Sequence, residues 1–314
     1  GALPDSLEQL QSDLQLRKIY ISACLGETGI AVFDSWVREL LETGYLHNHA
    51  RMWFASIWIF TLRLPWELGA DFFYRHLIDG DPASNTLGWR WVAGLHTKGK
   101  TYLATPPNIE KYAAKRLDPL PFCKTGLENL NTQGFPLKDI LPPSSRGYEE
   151  LIWPEQPETP RGNLHSGFLI TENDLSTKVP VGTDCVAALE FCSRSPIGLG
   201  SLPVEDFVNQ SIAQTIDTVS HSSTSAVTSG VQSINAILKW ATQNKLESIT
   251  TARAPVGPVR DALKKIEEGL SERGIRLSFI VDDYDRAVWP HTTRGFFQLN
   301  REIEEILEKL KLDR

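Results

Sequence analysis

The sequence predicts a fold of the α plus α/β class: an all-α helical region followed by a small α/β domain with a mostly parallel sheet. Two observations support this. Before about residue 115, apolar residues recur at helical spacing and strand signals are weak. After about residue 163, short apolar runs alternate with helical segments, a pattern typical of a parallel sheet covered by helices. We therefore expect a helical region over 1–115, a linker over 116–162 and an α/β domain over 163–314.

Three helices are expected in the middle of the first region. The first has one apolar face and ends near Gly44, because glycine readily adopts the left-handed conformation that closes a helix. The second, about 47–62, is apolar almost all round and should be central. Pro65 closes it, and a third follows over about 67–77. The residues that form the apolar face of the first helix are Phe33, Trp36, Val37, Leu40 and Leu41.

The linker is defined by its prolines. Proline lacks a backbone N–H and fixes φ, so a dense run of prolines favours extended or turn backbone. We expect the segment to pack over the surface or to join two domains. The prolines are Pro119, Pro121, Pro136, Pro142, Pro143, Pro154, Pro157 and Pro160.

The α/β domain is predicted from alternating short and long segments. The polar stretch 221–230 is expected to be a break between two helices. Neither standard phosphate-loop pattern is present, so a nucleotide would be bound here by other means. Strands are expected at 167–170, 186–191, 248–252 and 277–281, and helices at about 204–220, 229–243, 257–272 and 296–311.

Composition excludes several classes of protein. The net charge is −7, so no global basic field attracts nucleic acid, and any such contact must come from a local patch. The four cysteines form no C-x-x-C pair, which favours a reduced, cytoplasmic protein. The most apolar run, 52–62, is too short to span a bilayer, so no membrane partner is expected. The sequence begins Gly1-Ala2-Leu3 rather than with Met, and we expect further sequence upstream.

Unusual chemistry is concentrated between residues 43 and 91. Arg51 follows Asn48 by three positions and His47 by four, so the three should share one helix face beside an apolar segment. A buried arginine needs a carboxylate partner, and Asp79 and Asp81 are the nearest candidates by type. Six of the nine tryptophans lie in the same region, between 36 and 91.

Three interpretations of this cluster remain open from the residues alone. The Asp-Gly-Asp-Pro string predicts a turn, and Asn85 with Gly88 predicts that irregular backbone continues. An Arg–Asp pair, an amide and indole rings suit a flat aromatic ligand with polar edges. The same groups could equally form a structural ion pair in an aromatic core. A metal site is the third interpretation, but His47, His49 and His76 lack a recognised ligand spacing.

Two strings in this region resemble a known family. They are TGYLHNHARM at 43–52 and HLIDGDPASNTLGWRW at 76–91. Their order and spacing resemble the C-terminal half of the flavin-binding domain of the photolyase/cryptochrome superfamily, over about residues 27–110. The rest of the chain is similar to short-type FAD-binding photolyase-like proteins, with WPHTTRGFF at 289–297 resembling their ending.

The resemblance implies FAD as cofactor and a role for each matching residue. Arg51 and Asp79 would form an ion pair against the isoalloxazine ring. Asp81 would accept a hydrogen bond from the imide edge of the ring, and Asn85 would face its N5 atom. Asn48 would lie near the adenine of a folded FAD and near a DNA lesion.

Light-driven chemistry is also implied by the resemblance. Met52 and Trp91 would line the cavity that a flipped pyrimidine dimer enters. Trp89 would be the proximal member, and Trp66 the middle member, of a chain that carries electrons to the flavin. The other tryptophans of the central helices are expected to pack in the core: Trp36, Trp53 and Trp58.

The implied function is a deoxyribodipyrimidine photolyase-type lyase, in which excited flavin gives an electron to a pyrimidine dimer in DNA. The family's phosphate-binding stretch, acidic lesion contact and distal Trp have no recognisable counterpart in residues 1–26, and we expect none of the given residues to form its N-terminal antenna domain. The alternative is a cryptochrome-like blue-light receptor or redox flavoprotein without repair activity. Damaged DNA, a protein partner or a missing N-terminal segment are the expected partners. Residues that could meet phosphates near the cavity are Arg90, Lys98 and Lys100.

Overall fold

The computed structural model describes residues 2–95, 101–113, 125–131, 165–195, 201–292 and 296–311. The chain forms two compact units. The first comprises 1–143 together with 193–207, and the second comprises 144–192 and 208–314. Most of the predicted linker, including its eight prolines, lies outside the described residues, as do Lys98 and Lys100.

The first unit is helical, as predicted. Its seven described helices before residue 114 are α1 (Ala2–Ser12), α2 (Leu14–Leu25), α3 (Ala31–Thr43), α4 (Asn48–Ser56), α5 (Trp66–His76), α6 (Pro82–Val92) and α7 (Pro106–Ala113). A π-turn at Ile57–Thr61 extends α4, and a short 3-10 turn spans Leu127–Asn129. The predicted end of α3 is confirmed, because Gly44 has a φ of 67° and its N–H bonds to the carbonyl of Leu40.

The second helix is central, as its all-round apolar pattern predicts. Four successive side chains of the π-turn, Ile57 to Phe60, are completely buried. They lie in one core with many aromatic rings from α3, α5 and α6. The largest members of that core are Trp36, Trp53, Trp58, Trp89, Phe33, Phe54, Phe60, Phe72 and Phe73.

Two local predictions in this unit are wrong. Asn85 and Gly88 lie inside the helix α6 rather than on irregular backbone. The helix starts because the Asp81 carboxylate accepts from the backbone N–H of Ser84, and Pro82 occupies the first turn, where its missing N–H costs nothing. His47 is not on the face of α4 either. It is the extended N-cap residue, and its ring accepts from the N–H of His49.

The second unit contains a parallel five-stranded sheet with order β3-β2-β1-β4-β5. The strands are β1 (Ser166–Ile170), β2 (Cys185–Leu189), β3 (Ala226–Gln232), β4 (Ser248–Ala252) and β5 (Arg276–Ile280). The helices are α8 (Leu202–Ser222), whose first turns group with the first unit, α9 (Ile234–Gln243), α10 (Pro258–Ser271), α11 (Asp283–Val288) and α12 (Phe296–Lys309).

Strand alternation divides the core of this unit into two layers, one on each face of the sheet. On one face, Leu169 of β1 packs with the apolar residues of α9 and α10. On the other, Phe168 and Ile170 pack with α8. The predicted break at 221–230 is wrong, because β3 lies there. β3 is an edge strand, and Thr228 and Ser229 interrupt its apolar residues. The sequence therefore lacks the continuous apolar run by which the other strands were predicted.

In the described part of the chain, no helix combines the length and the apolar character needed to cross a bilayer.

Candidate functional site

A cavity of about 340 Å³ opens among α4, α5 and α6 of the helical unit. Ligand pockets commonly have volumes of about 300–1,000 Å³, so it can hold a planar ring system. Of the nine predicted site residues, only Trp66 is not part of its wall. The eight that line it are Asn48, Arg51, Met52, Asp79, Asp81, Asn85, Trp89 and Trp91.

The predicted ion pair lies at the rim of this cavity. Nη2 of Arg51 lies 2.8 and 3.0 Å from the two carboxylate oxygens of Asp79. Nε of Arg51 donates to the carbonyl of Leu46 at 2.7 Å, so the guanidinium is fixed by three bonds. The side chains are 25% and 52% exposed, so the expectation of a buried pair is wrong. The pair is half-exposed because both residues lie where α4 and the 77–81 loop meet solvent.

The start of α6 places two further polar groups on the wall. One carboxylate oxygen of Asp81 caps the helix by accepting from the N–H of Ser84 at 2.7 Å. Nδ2 of Asn85 donates to the carbonyl of Ala70 in α5 at 2.8 Å. Because that bond uses the amide nitrogen, the amide oxygen remains to accept a hydrogen bond from a ligand.

Trp89 forms a buried part of the wall. It is 3% exposed, and its indole Nε1 has no hydrogen-bond partner in the described structure. A buried N–H left unsatisfied costs about 1–3 kcal/mol, so a ligand acceptor here would remove a penalty. The ring contacts of Trp89 are with Phe54, Trp58 and Phe73, at centroid distances of 6.4, 6.1 and 5.1 Å.

The outer part of the cavity carries the residues that were predicted to meet a lesion. Met52 is half-buried, and Asn48 is exposed at the start of α4. Trp91 is 42% exposed and packs against Tyr102 with ring centroids 5.5 Å apart. The mouth of the cavity is therefore apolar and aromatic, with an amide at one side.

Sequence reasoning missed the apolar residues that complete the wall. Phe73 and Leu77 line the cavity one helical turn apart, and Ala55 and Val92 contribute from α4 and α6. The spacing of Phe73 and Leu77 was a usable signal, because i and i+4 share a helix face. Gly80 also lines the cavity. A larger residue would be strained there, because an added Cβ would lie 2.9 Å from the Leu77 carbonyl oxygen.

Contributions from distant sequence were also missed. Arg194 belongs to the 193–207 segment of the helical unit and donates to the carbonyl of Leu77 at 2.7 Å. Ser195 donates to the buried carboxylate of Asp71 at 2.7 Å, and Asp71 in turn pairs with Arg75. These contacts hold the C-terminal end of α5 beside the cavity, and no short-range pattern could reveal a partner more than 100 residues away.

One titratable group near the cavity is strongly perturbed. Burial, together with the neighbouring charge of Arg75, lowers the pKa of His76 to about 4. The ring packs on Phe72 at a centroid distance of 4.6 Å, and it is not part of the wall. In the described ranges no group of three or more His, Cys, Asp or Glu side chains is arranged to hold a metal ion.

The polar and apolar groups of the cavity wall fit an isoalloxazine ring. The wall combines a cation, two carboxylates, an amide oxygen and a buried indole N–H with apolar surfaces from Phe73 and Leu77. A flavin ring system has a polar pyrimidine edge and flat apolar faces, and both find counterparts in this wall.

Comparison with known proteins agrees with the resemblance. Residues 7–119 match the family model described as the FAD binding domain of DNA photolyase. This match begins about twenty residues before the region over which the sequence resemblance was expected, about 27–110. It confirms similarity to the photolyase/cryptochrome superfamily over the helical region.

Individual relatives match a shorter stretch. The deoxyribodipyrimidine photo-lyase of Alkalihalophilus pseudofirmus is 44% identical over 77 residues, 24% of this chain and 16% of the relative. That of Streptomyces griseus is 41% identical over 93 residues, 30% of this chain and 20% of the relative. The mitochondrial deoxyribodipyrimidine photo-lyase of Saccharomyces cerevisiae is 38% identical over 96 residues, which are 31% of this chain and 17% of the relative. The similarity thus spans a fifth or less of each relative's length. No solved structure matches the chain.

Proposed function

We propose that the helical unit binds FAD in this cavity, and that the bound flavin drives light-dependent electron transfer to a pyrimidine dimer in DNA. One observation carries the proposal. Eight residues selected from sequence motifs converge on one cavity, within the region that matches a photolyase FAD-binding domain. A structural ion pair in an aromatic core would not require a cavity beside it.

When bound, the flavin supplies a one-electron donor that is activated by light. The residues of the chain hold and orient it. Arg51 is held by the Leu46 carbonyl and by Asp79, and its guanidinium would provide a fixed positive charge beside the ring. Asp81, which caps α6, would accept a hydrogen bond from the ring's imide N–H. The nitrogen of Asn85 is bound to the Ala70 carbonyl, so its amide oxygen would be the group available to N5.

The DNA part of the proposal rests on the cavity mouth. Trp91 is exposed and Met52 half-buried, which gives a flipped pyrimidine pair apolar surfaces to stack against. Asn48 places an amide beside them. Arg90 follows Trp89 on α6 and supplies a local positive charge for phosphate.

A second candidate function is favoured by charge. The net charge of −7 and the pI near 5.6 disfavour non-specific binding to DNA, which depends on positive charge. A flavoprotein that responds to blue light or to reductants, and acts through a protein partner, would retain the same FAD contacts without needing a basic surface.

Flavin binding is tested by titrating the flavin-free chain with FAD and following the ring's absorption. We expect Arg51→Gln to weaken binding by roughly tenfold or more, because a charge-assisted hydrogen bond is worth about 1.5–3 kcal/mol. Arg273→Gln is the matched control, since Arg273 is exposed on the other unit. Equal FAD affinity in the two variants, or no uptake by the wild type, would reject the proposed site.

Repair is tested on the FAD-loaded chain with DNA that contains cyclobutane pyrimidine dimers, under blue light and reductant. Restoration of intact pyrimidines is the expected result, with loss in Met52→Ala and Trp91→Ala. If FAD binds but no dimer is split, the second candidate is favoured and the repair proposal is rejected.

A further inference from the structure

We propose that the α/β unit contains a second binding site, a cavity between α10 and the strands β4 and β5 that takes a small organic phosphate of the size of a nucleoside monophosphate. The inference goes beyond the proposed flavin site, because every residue that carries it belongs to the other unit. The cavity, which we call the α10 cavity, has a volume of about 310 Å³. Its wall consists of Arg253, Ala254, Arg260, Leu263, Lys264, Glu267 and Phe279.

One face of α10 forms one side of the α10 cavity. The four wall residues that belong to this helix recur at positions i, i+3, i+4 and i+7, which share a helix face. Arg260 lies in the first turn of the helix and Glu267 two turns later. Because a helix rises 1.5 Å per residue, these two side chains are separated by about 10 Å along the cavity. A ligand as long as a nucleoside monophosphate can therefore reach both.

The sheet supplies the other side of the cavity. Phe279 of β5 and Ala254, which follows β4, belong to the apolar layer that also contains Leu263. The N–H of Arg253 donates to the carbonyl of Ile280 at 2.9 Å, so Arg253 lies at the carboxyl ends of β4 and β5. This is the edge of a parallel sheet at which α/β folds bind their ligands. The α10 cavity thus combines an apolar floor with a cation at the ends of the strands.

The wall is basic although the chain is acidic. Three of the wall residues are cations and one, Glu267, is a carboxylate, whereas the whole chain has a net charge of −7. Arg260 and Lys264 lie at positions i and i+4, where two like charges on a helix repel each other. An anion bound between them would turn this repulsion into two attractive contacts.

Arg260 has the most charge to offer a ligand. Its side chain is half-buried, and within the described ranges it has no ion-pair partner. Nζ of Lys264 lies 3.7 Å from a carboxylate oxygen of Asp261, but both side chains are exposed, so solvent screens this pair. Both cations of α10 can therefore bind an anion without first breaking a strong ion pair.

Arg253 adds a guanidinium at the same end of the cavity. It lies over the ring of Trp289, 5.4 Å from the centroid, and it also interacts electrostatically with Asp285. Neither Trp289 nor Asp285 is part of the wall. The amino-terminal end of α10 adds positive potential there, because its N-cap residue, Gly257, has no side chain to accept from the first turn. Positive charge is therefore concentrated at one end of the cavity.

These groups favour a phosphate monoester over a carboxylate. A phosphate has three terminal oxygens, which can accept from two guanidiniums and an ammonium together, whereas a carboxylate has two. The apolar floor offers a surface to a ring attached to the phosphate. Glu267, at the other end, can accept from a hydroxyl or amino group of the ligand. A nucleoside monophosphate carries a phosphate, a ring and such donors in this order.

The test is isothermal titration calorimetry of the full chain with AMP, adenosine and inorganic phosphate. AMP should bind more tightly than either of the other two, because it alone contacts both ends of the cavity. Arg260→Gln should weaken AMP binding by roughly tenfold or more, the effect of losing a charge-assisted hydrogen bond. Arg276→Gln is the matched control, since Arg276 is exposed at the first position of β5, the opposite end of that strand.

A third variant changes the wall in the opposite sense. Glu267→Gln removes the carboxylate, so inorganic phosphate should bind more tightly than it does to the wild type, and the preference for AMP over phosphate should shrink. Glu267 is exposed and its replacement has nearly the same shape, so this variant keeps the test decisive if circular dichroism shows that Arg260→Gln does not fold. Unchanged affinities for both ligands would contradict the proposal.

Excess FAD separates this site from the flavin site. AMP bound in the helical unit would be displaced by FAD, whereas AMP in the α10 cavity should stay bound, whether or not the proposed function is correct. The α10 cavity is not a site for an organic phosphate if AMP binds no more tightly than phosphate, if FAD displaces it, or if Arg276→Gln weakens it as much as Arg260→Gln.

Discussion

The two units of this chain build their cores from different side chains. The helical unit packs aromatic rings in contact with one another around a cavity. The α/β unit packs mainly aliphatic side chains on both faces of a parallel sheet. Trp89 and Trp240 show the contrast. Both are buried, and among the described residues neither indole N–H has a partner, yet Trp89 lines the cavity and Trp240 lies in an aliphatic layer. The aromatic core therefore also forms the wall of a cavity, whereas the aliphatic layers pack against the sheet.

The largest difference between the units should come from their ion pairs. Asp71 and Arg75 are buried, with Nε of Arg75 2.8 Å from the carboxylate. Asp71→Asn leaves a buried guanidinium without its counter-charge, so we expect a loss of about 3–5 kcal/mol in the free energy of unfolding. Asp261→Asn, in the exposed pair with Lys264, should change it by about 0–1 kcal/mol. Urea denaturation measures both, and equal losses would contradict the contrast.

The next largest effect should come from two glycines that each lie against a tryptophan. Gly69 touches the rigid indoles of Trp89 and Trp58, whereas a Cβ at Gly167 would meet Trp240 and the flexible end of Leu246. Overpacking a core typically costs about 1–3 kcal/mol. We expect Gly69→Ala to lie at the upper end and Gly167→Ala at the lower, because a Cβ at Gly167 would meet Leu246 and Trp240 at 2.7 Å, less closely than a Cβ at Gly69 would meet Trp89.

Thermal denaturation of the two glycine variants gives the ranking. FAD titration provides a second readout, because only Gly69→Ala displaces a ring of the cavity wall. An FAD affinity that falls equally in both variants would contradict the placement of the FAD site in the helical unit.

A smaller effect is expected from pH. Because the pKa of His76 is lowered from 6.5 to about 4, the unfolded chain binds this proton more tightly than the folded one. The helical unit should therefore lose stability as pH falls from about 6.5 toward 4, and the loss should level off below that range. His76→Phe should remove this slope, whereas His221→Phe, at an exposed position of α8, should keep it. Urea titrations at pH 7 and pH 5 provide the comparison.

Different features could be predicted from the sequence in the two units: site residues in the helical unit and strands in the α/β unit. In the helical unit, Arg51, Asp79 and Asn85 could be placed at one site because they lie within 35 residues and belong to recognisable strings. In the α/β unit, four of five strands were predicted from short apolar runs, and two of them, β1 and β2, are buried along their whole length. β3 was missed because Thr228 and Ser229 interrupt its apolar run.

Long-range contacts were beyond prediction for a physical reason. The contact of Ser195 with Asp71 joins residues 124 positions apart, and neither side chain differs locally from an ordinary loop serine or helix aspartate. Likewise, Trp58 was expected to pack in the core, and it does. Only three-dimensional packing shows that its neighbours include Trp89 and Tyr20. Residue type and spacing define a local site, but not which buried rings touch.

The smallest expected change in stability comes from two helix caps, one in each unit, that have the same geometry. Ser233 caps α9 by accepting from the N–H of Ala236, and Asp81 caps α6 by accepting from that of Ser84. Ser233→Ala should cost about 1 kcal/mol of stability and leave FAD affinity unchanged. Asp81→Ser keeps a capping oxygen, so stability should change by only a few tenths of a kcal/mol. Its FAD affinity should nevertheless fall, because the substitution removes the second carboxylate oxygen, to which we assign the imide edge in the proposed site. If Asp81→Ser binds FAD as tightly as the wild type, this cap has no role beyond the helix, and the aspartate of the Asp-Gly-Asp string is structural.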